Sequence, residues 1–299
     1  MRQIAGSGSG SLTRRKLLAL GAAVPLLAAC RTAPGGAGGE ITGETVHAAT
    51  LALLQGAATC RPSRQLAQGP YWFDVDRLRS DIRETRRGTT LQLAIRVVDG
   101  AGCGRAPLPD VVVEIWHCDA TGRYSGFEGP DRTAPADPPP GWPNTRGVEL
   151  PAADPTGDPM GYDVRTSNGS YSRGDAEAQP GDDGTYLRGA QVTGANGIAR
   201  FTTIYPGWYV GRAPHVHVKV YARRTTVLST QLFLDDTVND QVYRAAPYRA
   251  RPPRNRADAF YDPSLRLTVR RYGDAYLGAV NLGVDLLGVP PGAVGTLGG

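Results

Sequence analysis

The chain has 299 residues, about 40% of them apolar and 20% charged, with a formal net charge of +5. Four of the basic residues (Arg2, Arg14, Arg15, Lys16) and no acids precede Cys30, so without that segment 29 basic side chains face 28 acidic ones, a net +1. A near-neutral body of about 250 residues gives nucleic-acid binding no electrostatic support and suits one large domain, or one domain with long loops. The only lysines are Lys16 and Lys219, so the abundance of arginine reflects coding bias rather than phosphate recognition.

Residues 1–30 read as a signal. TRRKLL at 13–18 resembles a twin-arginine signal, an apolar run follows to Ala29, and LAAC at 27–30 resembles a bacterial lipobox. The apolar run is shorter than the roughly 20 residues that span a bilayer. The expectation is export in the folded state, with a lipid anchor on Cys30 that holds the protein on the outer face of the cell membrane. Residues 31–45, rich in Gly, Ala, Thr and Pro, form a flexible tether, and a domain at 46–288 follows. Outside the cytoplasm one disulfide among Cys60, Cys103 and Cys118 is expected, with the pairing open.

A short helix is expected within residues 46–59. From residue 90 the pattern is that of strands, at 90–98, 111–116, 197–203, 216–221, 227–233 and 265–269, separated by turns rich in Gly, Pro and Asp. Residues 126–185 interrupt this rhythm as a long loop insertion, of the kind that covers a site, and 289–299 are a flexible tail. The fold class predicted is all-β, an antiparallel β-sandwich with long loops and a short N-terminal helical segment.

Two of the four histidines, His215 and His217, stand two apart in the run HVHVKV at 215–220. In a strand such residues share one face, so both imidazoles project to the same side as a metal pair. Two imidazoles alone suit zinc, copper, nickel or iron. Tyr209 lies six residues before His215, and Tyr124 closes a second block, EIWHCDATGRY at 114–124. A phenolate is a hard anionic donor whose ordinary pKa near 10 falls only against a strongly Lewis-acidic ion, so two His with two Tyr favour ferric iron. His117, next to Trp116, is expected on the opposite strand face, and His47 and the tyrosines at 162, 171, 186 and 205 are given packing or loop roles.

The ordered blocks GPYWF (69–73), LRSDI (78–82), PLPDVVVEIWHCDATGRY (107–124), LRGAQVT (187–193), FTTIYPGWY (201–209), RAPHVH (212–217) and STQ (229–231) resemble the intradiol ring-cleavage dioxygenases, in particular their secreted bacterial branch. The resemblance implies a non-haem Fe(III) site with Tyr124, Tyr209, His215 and His217 as ligands. It further implies cleavage of an aromatic ortho-diol with O2 to a cis,cis-muconate-type diacid. Within it Tyr209 acts as a base toward the diol, and Arg212 lies against the ring and stabilises developing negative charge. Gln231 hydrogen-bonds near the substrate, and Tyr71 lines the pocket. Catechol, protocatechuate, hydroxyquinol and a larger lignin-derived diol all stay open; Arg188 and the long loop are the candidates for holding a substrate carboxylate. Oligomeric state is also open. The competing class is a non-catalytic exported binding module whose His-X-His pair is vestigial or binds zinc.

Overall fold

The strands assemble into two four-stranded sheets because their apolar residues face each other across a shared interior. The structure is a computed structural model that describes residues 43–55, 61–100, 106–128, 165–250 and 252–286, all within one compact unit, Ile41–Gly299. The signal, most of the tether, Cys60, Cys103, residues 129–164 of the long loop and the C-terminal tail lie outside the described residues.

In chain order the elements are α1 (Gly43–Gln55), β1 (Thr90–Asp99), β2 (Val112–Trp116), β3 (Arg188–Val192), β4 (Ile198–Ile204), β5 (His215–Ala222), β6 (Thr225–Phe233), α2 (Asp236–Val242), β7 (Thr268–Tyr272) and β8 (Ala275–Val284). One sheet has the order β4-β1-β8-β7 and the other β3-β2-β5-β6. Six strands were expected near their observed places. Of those six, the last begins at Thr268, because Pro263–Leu265 forms a 3-10 turn capped by the Asp262 side chain. Among the described strands, one neighbouring pair, β1 with β8, runs parallel.

Val113 and Ile115 on β2 and Val216, Val218 and Val220 on β5 point into the core between the sheets. The intervening residues of β5, from His215 to Tyr221, are also fully buried. A strand alternates its side chains between two faces, so a strand buried throughout has a second cover. That cover comes from residues 69–73 and from the described end of the long loop, which contributes buried Tyr171. α1 packs Leu54 against Ala94, Ile198 and Ala279 on the outer face of the other sheet. It starts at Gly43, three residues before the expected helical segment, and its end is tied by Asn281 Nδ2 donating to the Leu54 carbonyl at 3.0 Å.

Candidate active site

One register row places His217 and Gln231. Arg188 of β3 pairs with Trp116 of β2, Trp116 with His217 of β5, and His217 with Gln231 of β6. Side chains directly opposite in antiparallel neighbours stand on the same face, so the row lies under the second cover. The indole of Trp116 stacks on the His217 ring at 4.9 Å and 8°. His215, two residues earlier on β5, completes the pair that the spacing predicts.

The tyrosines arrive from two loops that interlock. Asp119 Oδ1 accepts from the Thr121 and Arg123 amides and folds the turn that precedes Tyr124. Gly207 N donates to the Asp119 carbonyl at 3.0 Å. A Cβ on Gly122 would meet the Trp208 carbonyl oxygen at 2.3 Å, and one on Gly207 would meet the Asp119 oxygen at 2.2 Å. Only glycine allows this approach, and the approach sets Tyr124 beside Tyr209, with ring centroids 5.9 Å apart.

Four donor atoms converge. His215 Nε2 lies 3.1 Å from His217 Nε2 and 3.4 Å from each of the Tyr124 and Tyr209 hydroxyls, and His217 Nε2 lies 3.2 Å from the Tyr124 hydroxyl. All four side chains are buried. His215 Nδ1 lies 2.6 Å from the Ala213 carbonyl, which can only accept, so that nitrogen carries the proton and Nε2 presents its lone pair to the cluster. Burial holds both imidazoles well below their usual pKa, helped by Arg212 for His215 and by its histidine neighbour for His217. Burial likewise pushes both phenols up, although Arg212 pulls Tyr209 down. The donors are thus neutral on their own, and a multiply charged cation is what would draw the phenolic protons off. Among the described residues no group of three or more His, Cys, Asp and Glu side chains could hold a metal, so a metal ion held at this point would need the phenols as well.

The two tyrosines are held differently. Tyr124 is stacked by Tyr71 at 4.6 Å and 21°, and its neighbour Ser125 is gripped by Arg188, whose Nε donates to Oγ at 2.8 Å and whose Nη2 donates to the carbonyl at 2.9 Å. Arg188 is 1% exposed and also lies over the Phe73 ring. It braces the turn that carries Tyr124, while its Nη1 is left without a hydrogen-bond partner. Tyr209 is fixed through its backbone, its carbonyl accepting from Arg212 N at 3.0 Å, while its hydroxyl faces Arg212 Nη1 at 3.4 Å. Gln231 Oε1 accepts from Arg212 and Nε2 donates to the Ala67 carbonyl, so its amide positions the guanidinium. Asp258, absent from the sequence reading, accepts from Arg212 Nε at 2.9 Å.

Two solved structures resemble this architecture. The chain is 26% identical to an intradiol ring-cleavage dioxygenase from Tetranychus urticae, with 76% of this chain and 96% of that chain covered and a TM-score of 0.58. A second dioxygenase, Tetur07g02040, matches at 26% identity, the same coverage of both chains and a TM-score of 0.57. The structural neighbours are intradiol ring-cleavage dioxygenases. No family model and no curated protein matches the sequence.

His117 keeps its expected place outside the cluster. It points into the core between the sheets, with Nδ1 2.8 Å from the Cys118 carbonyl and Nε2 2.7 Å from Thr203 Oγ1. Cys118 beside it is a buried free thiol. Burial lowers the pKa of His117 from 6.5 to about 4, against the opposing pull of the Cys118 carbonyl. Its folded value lies below its unfolded one, so its stabilising contribution is complete above pH 6.5 and is lost as the pH falls toward 4. Urea unfolding of the metal-free protein across that interval is expected to show a loss of about 3 kcal/mol from this residue. His117→Gln should remove that share of the slope; an unchanged slope would assign it to other groups.

Proposed function

We propose that the protein is a non-haem Fe(III)-dependent intradiol dioxygenase that cleaves an aromatic ortho-diol with O2 to a cis,cis-muconate-type diacid. The observation that carries the reading is the convergence of two imidazole nitrogens and two phenolic oxygens at one buried point, with a guanidinium facing one of the phenols. Two hard anionic oxygens beside two neutral nitrogens suit ferric iron better than zinc or copper. Tyr124, Tyr209, His215 and His217 would hold it, and bound there it would supply the Lewis acidity that favours the diol as its dianion.

Each side chain has a distinct part in this proposal. Tyr209 is the base. Its phenolate takes a diol proton, a role that suits the tyrosine whose ring lacks the Tyr71 stack and whose hydroxyl is reached by Arg212. Tyr124, packed by Tyr71 and braced through Ser125, stays in place. Arg212 presents Nη1 toward the position where negative charge develops on the diol, an electrostatic stabilisation that gains from a dry surrounding. Tyr71 and Phe127, ring centroids 5.1 Å apart, form an aromatic wall beside Tyr124 against which a planar ring can lie.

An oxygen electrode with a panel of catechols, hydroxyquinol and protocatechuate tests the proposal on iron-loaded protein. Oxygen uptake dependent on an ortho-diol, and absent with the corresponding monophenol, is the expected result. A protein that takes up zinc and consumes no oxygen with any diol would instead be a binding module.

A further inference from the structure

Arg212 is held by a carboxylate that lies far along the chain. The Asp258 side chain has no exposed surface. Its Oδ2 accepts from Arg212 Nε at 2.9 Å and from the Ala213 amide at 2.9 Å, while Oδ1 accepts from the Phe260 amide at 2.9 Å. The Phe260 ring lies against the guanidinium at 4.6 Å. The segment is anchored in turn, because Asn255 Nδ2 donates to the Leu234 carbonyl at 2.7 Å and Tyr261 packs edge-on against Phe233 at 5.3 Å.

A guanidinium is a rigid planar fork, so fixing two nitrogens and one face determines where the third nitrogen points. Here Nε is taken by Asp258, Nη2 by Gln231, and one face by Phe260. Only Nη1 is turned toward the donor cluster, 3.4 Å from the Tyr209 hydroxyl. The carboxylate also balances the charge of a side chain that is 16% exposed, which a buried cation requires. We infer that Asp258 is a positioning residue, which aims Arg212 at Tyr209 and at the diol and ties the ligand-bearing segment before His215 to the 252–262 loop. The inference rests on the dioxygenase reading for what Arg212 acts upon, while the clamp itself stands on geometry alone.

The test combines Asp258→Asn, Arg212→Lys and the double variant. If Asp258 acts through Arg212, Asp258→Asn lowers kcat/KM for a cleaved diol by roughly 10–100-fold, the range for residues that orient a functional group. The loss should fall chiefly in kcat, because Arg212 serves charge that develops during the reaction. The double variant should lie within about twofold of Arg212→Lys, whereas additive losses would show a merely structural residue and overturn the inference. In metal-free protein, the Arg212 Nε–H signal in the proton–nitrogen NMR spectrum, assigned by its absence in Arg212→Lys, should shift in Asp258→Asn. An unmoved signal overturns the clamp. Asp258→Glu, which keeps the charge and displaces it by one methylene, should show a smaller shift and serves if the asparagine variant does not fold. A shifted signal in a protein that cleaves no diol would keep the clamp and remove the dioxygenase reading.

Discussion

His217→Ala is expected to abolish ring cleavage and to weaken iron binding by more than the roughly 10–100-fold that loss of an outer partner costs. The His217 ring is 1% exposed, stacks on Trp116, and supplies a nitrogen 3.1–3.2 Å from two of the other three donors. Alanine removes that nitrogen and opens a cavity beside the indole that no neighbouring donor can fill. Its strand partners Trp116 and Gln231 are held by the sheet itself, so the fold survives while the centre loses a quarter of its donors. Metal analysis after dialysis against a weak chelator reads the effect, with circular dichroism to confirm the fold. Retention of stoichiometric iron in the variant would show that His217 is not a ligand.

Glu114→Ala should lower stability by about 3–5 kcal/mol, the cost of breaking a buried charged network on one side. Glu114 is 2% exposed, with Oε2 accepting from Trp72 Nε1 at 2.9 Å and from the Tyr221 hydroxyl at 2.6 Å, and Oε1 accepting from the Tyr171 hydroxyl at 3.2 Å. Directly across in register stands Lys219, itself 1% exposed, with Nζ 3.3 Å from the centre of the Trp72 ring and bonded to Asp175 at 2.8 Å. Removing the carboxylate strands three buried donors and takes away one of the carboxylates that balance Lys219. Trp72 and Tyr171 belong to the cover over the outer sheet face, so the loss also loosens the segment that brings Tyr71 to Tyr124. At about 2–4 °C per kcal/mol for a domain of this size, the melting temperature should fall by roughly 6–20 °C. Calorimetry checks it, and a change under about 1 kcal/mol would mean that the network contributes little.

β5 was legible because its two faces differ in kind. Valines at 216, 218 and 220 fill the core, and the alternate positions carry His, His, Lys and Tyr, so a period of two is written directly in the sequence. β8 was not foreseen, since AYLGAVNLGV is covered on one face by the core and on the other by α1, and a strand apolar on both faces loses its alternation. Its parallel pairing with β1 joins segments some 180 residues apart, which no local pattern reports. The helix α2 was missed as well; it is short, and its clearest signal is the Asp235 N-cap accepting from the Thr237 amide.

The four donors were named from residue type and block order, and the fold brings all four together. The groups that aim them were less visible. Asp258 sits in a loop with no periodicity, and only the folded chain sets it against Arg212. The bonds of Arg188 to Ser125 and its place over the Phe73 ring likewise have no local signal in the sequence. Gln231 was legible as a site residue, but its hydrogen-bond partner was not.

Acting as proposed, this constellation would insert both atoms of one O2 molecule between the hydroxyl-bearing carbons of an aromatic diol. Mass analysis of the product formed by iron-loaded protein from an ortho-diol under 18O2 tests it most directly. The expected product is a ring-opened diacid with one labelled oxygen in each carboxyl group, less any label exchanged with water. A product with the ring intact, or a diacid whose added oxygens come only from water when exchange controls retain label, would contradict it.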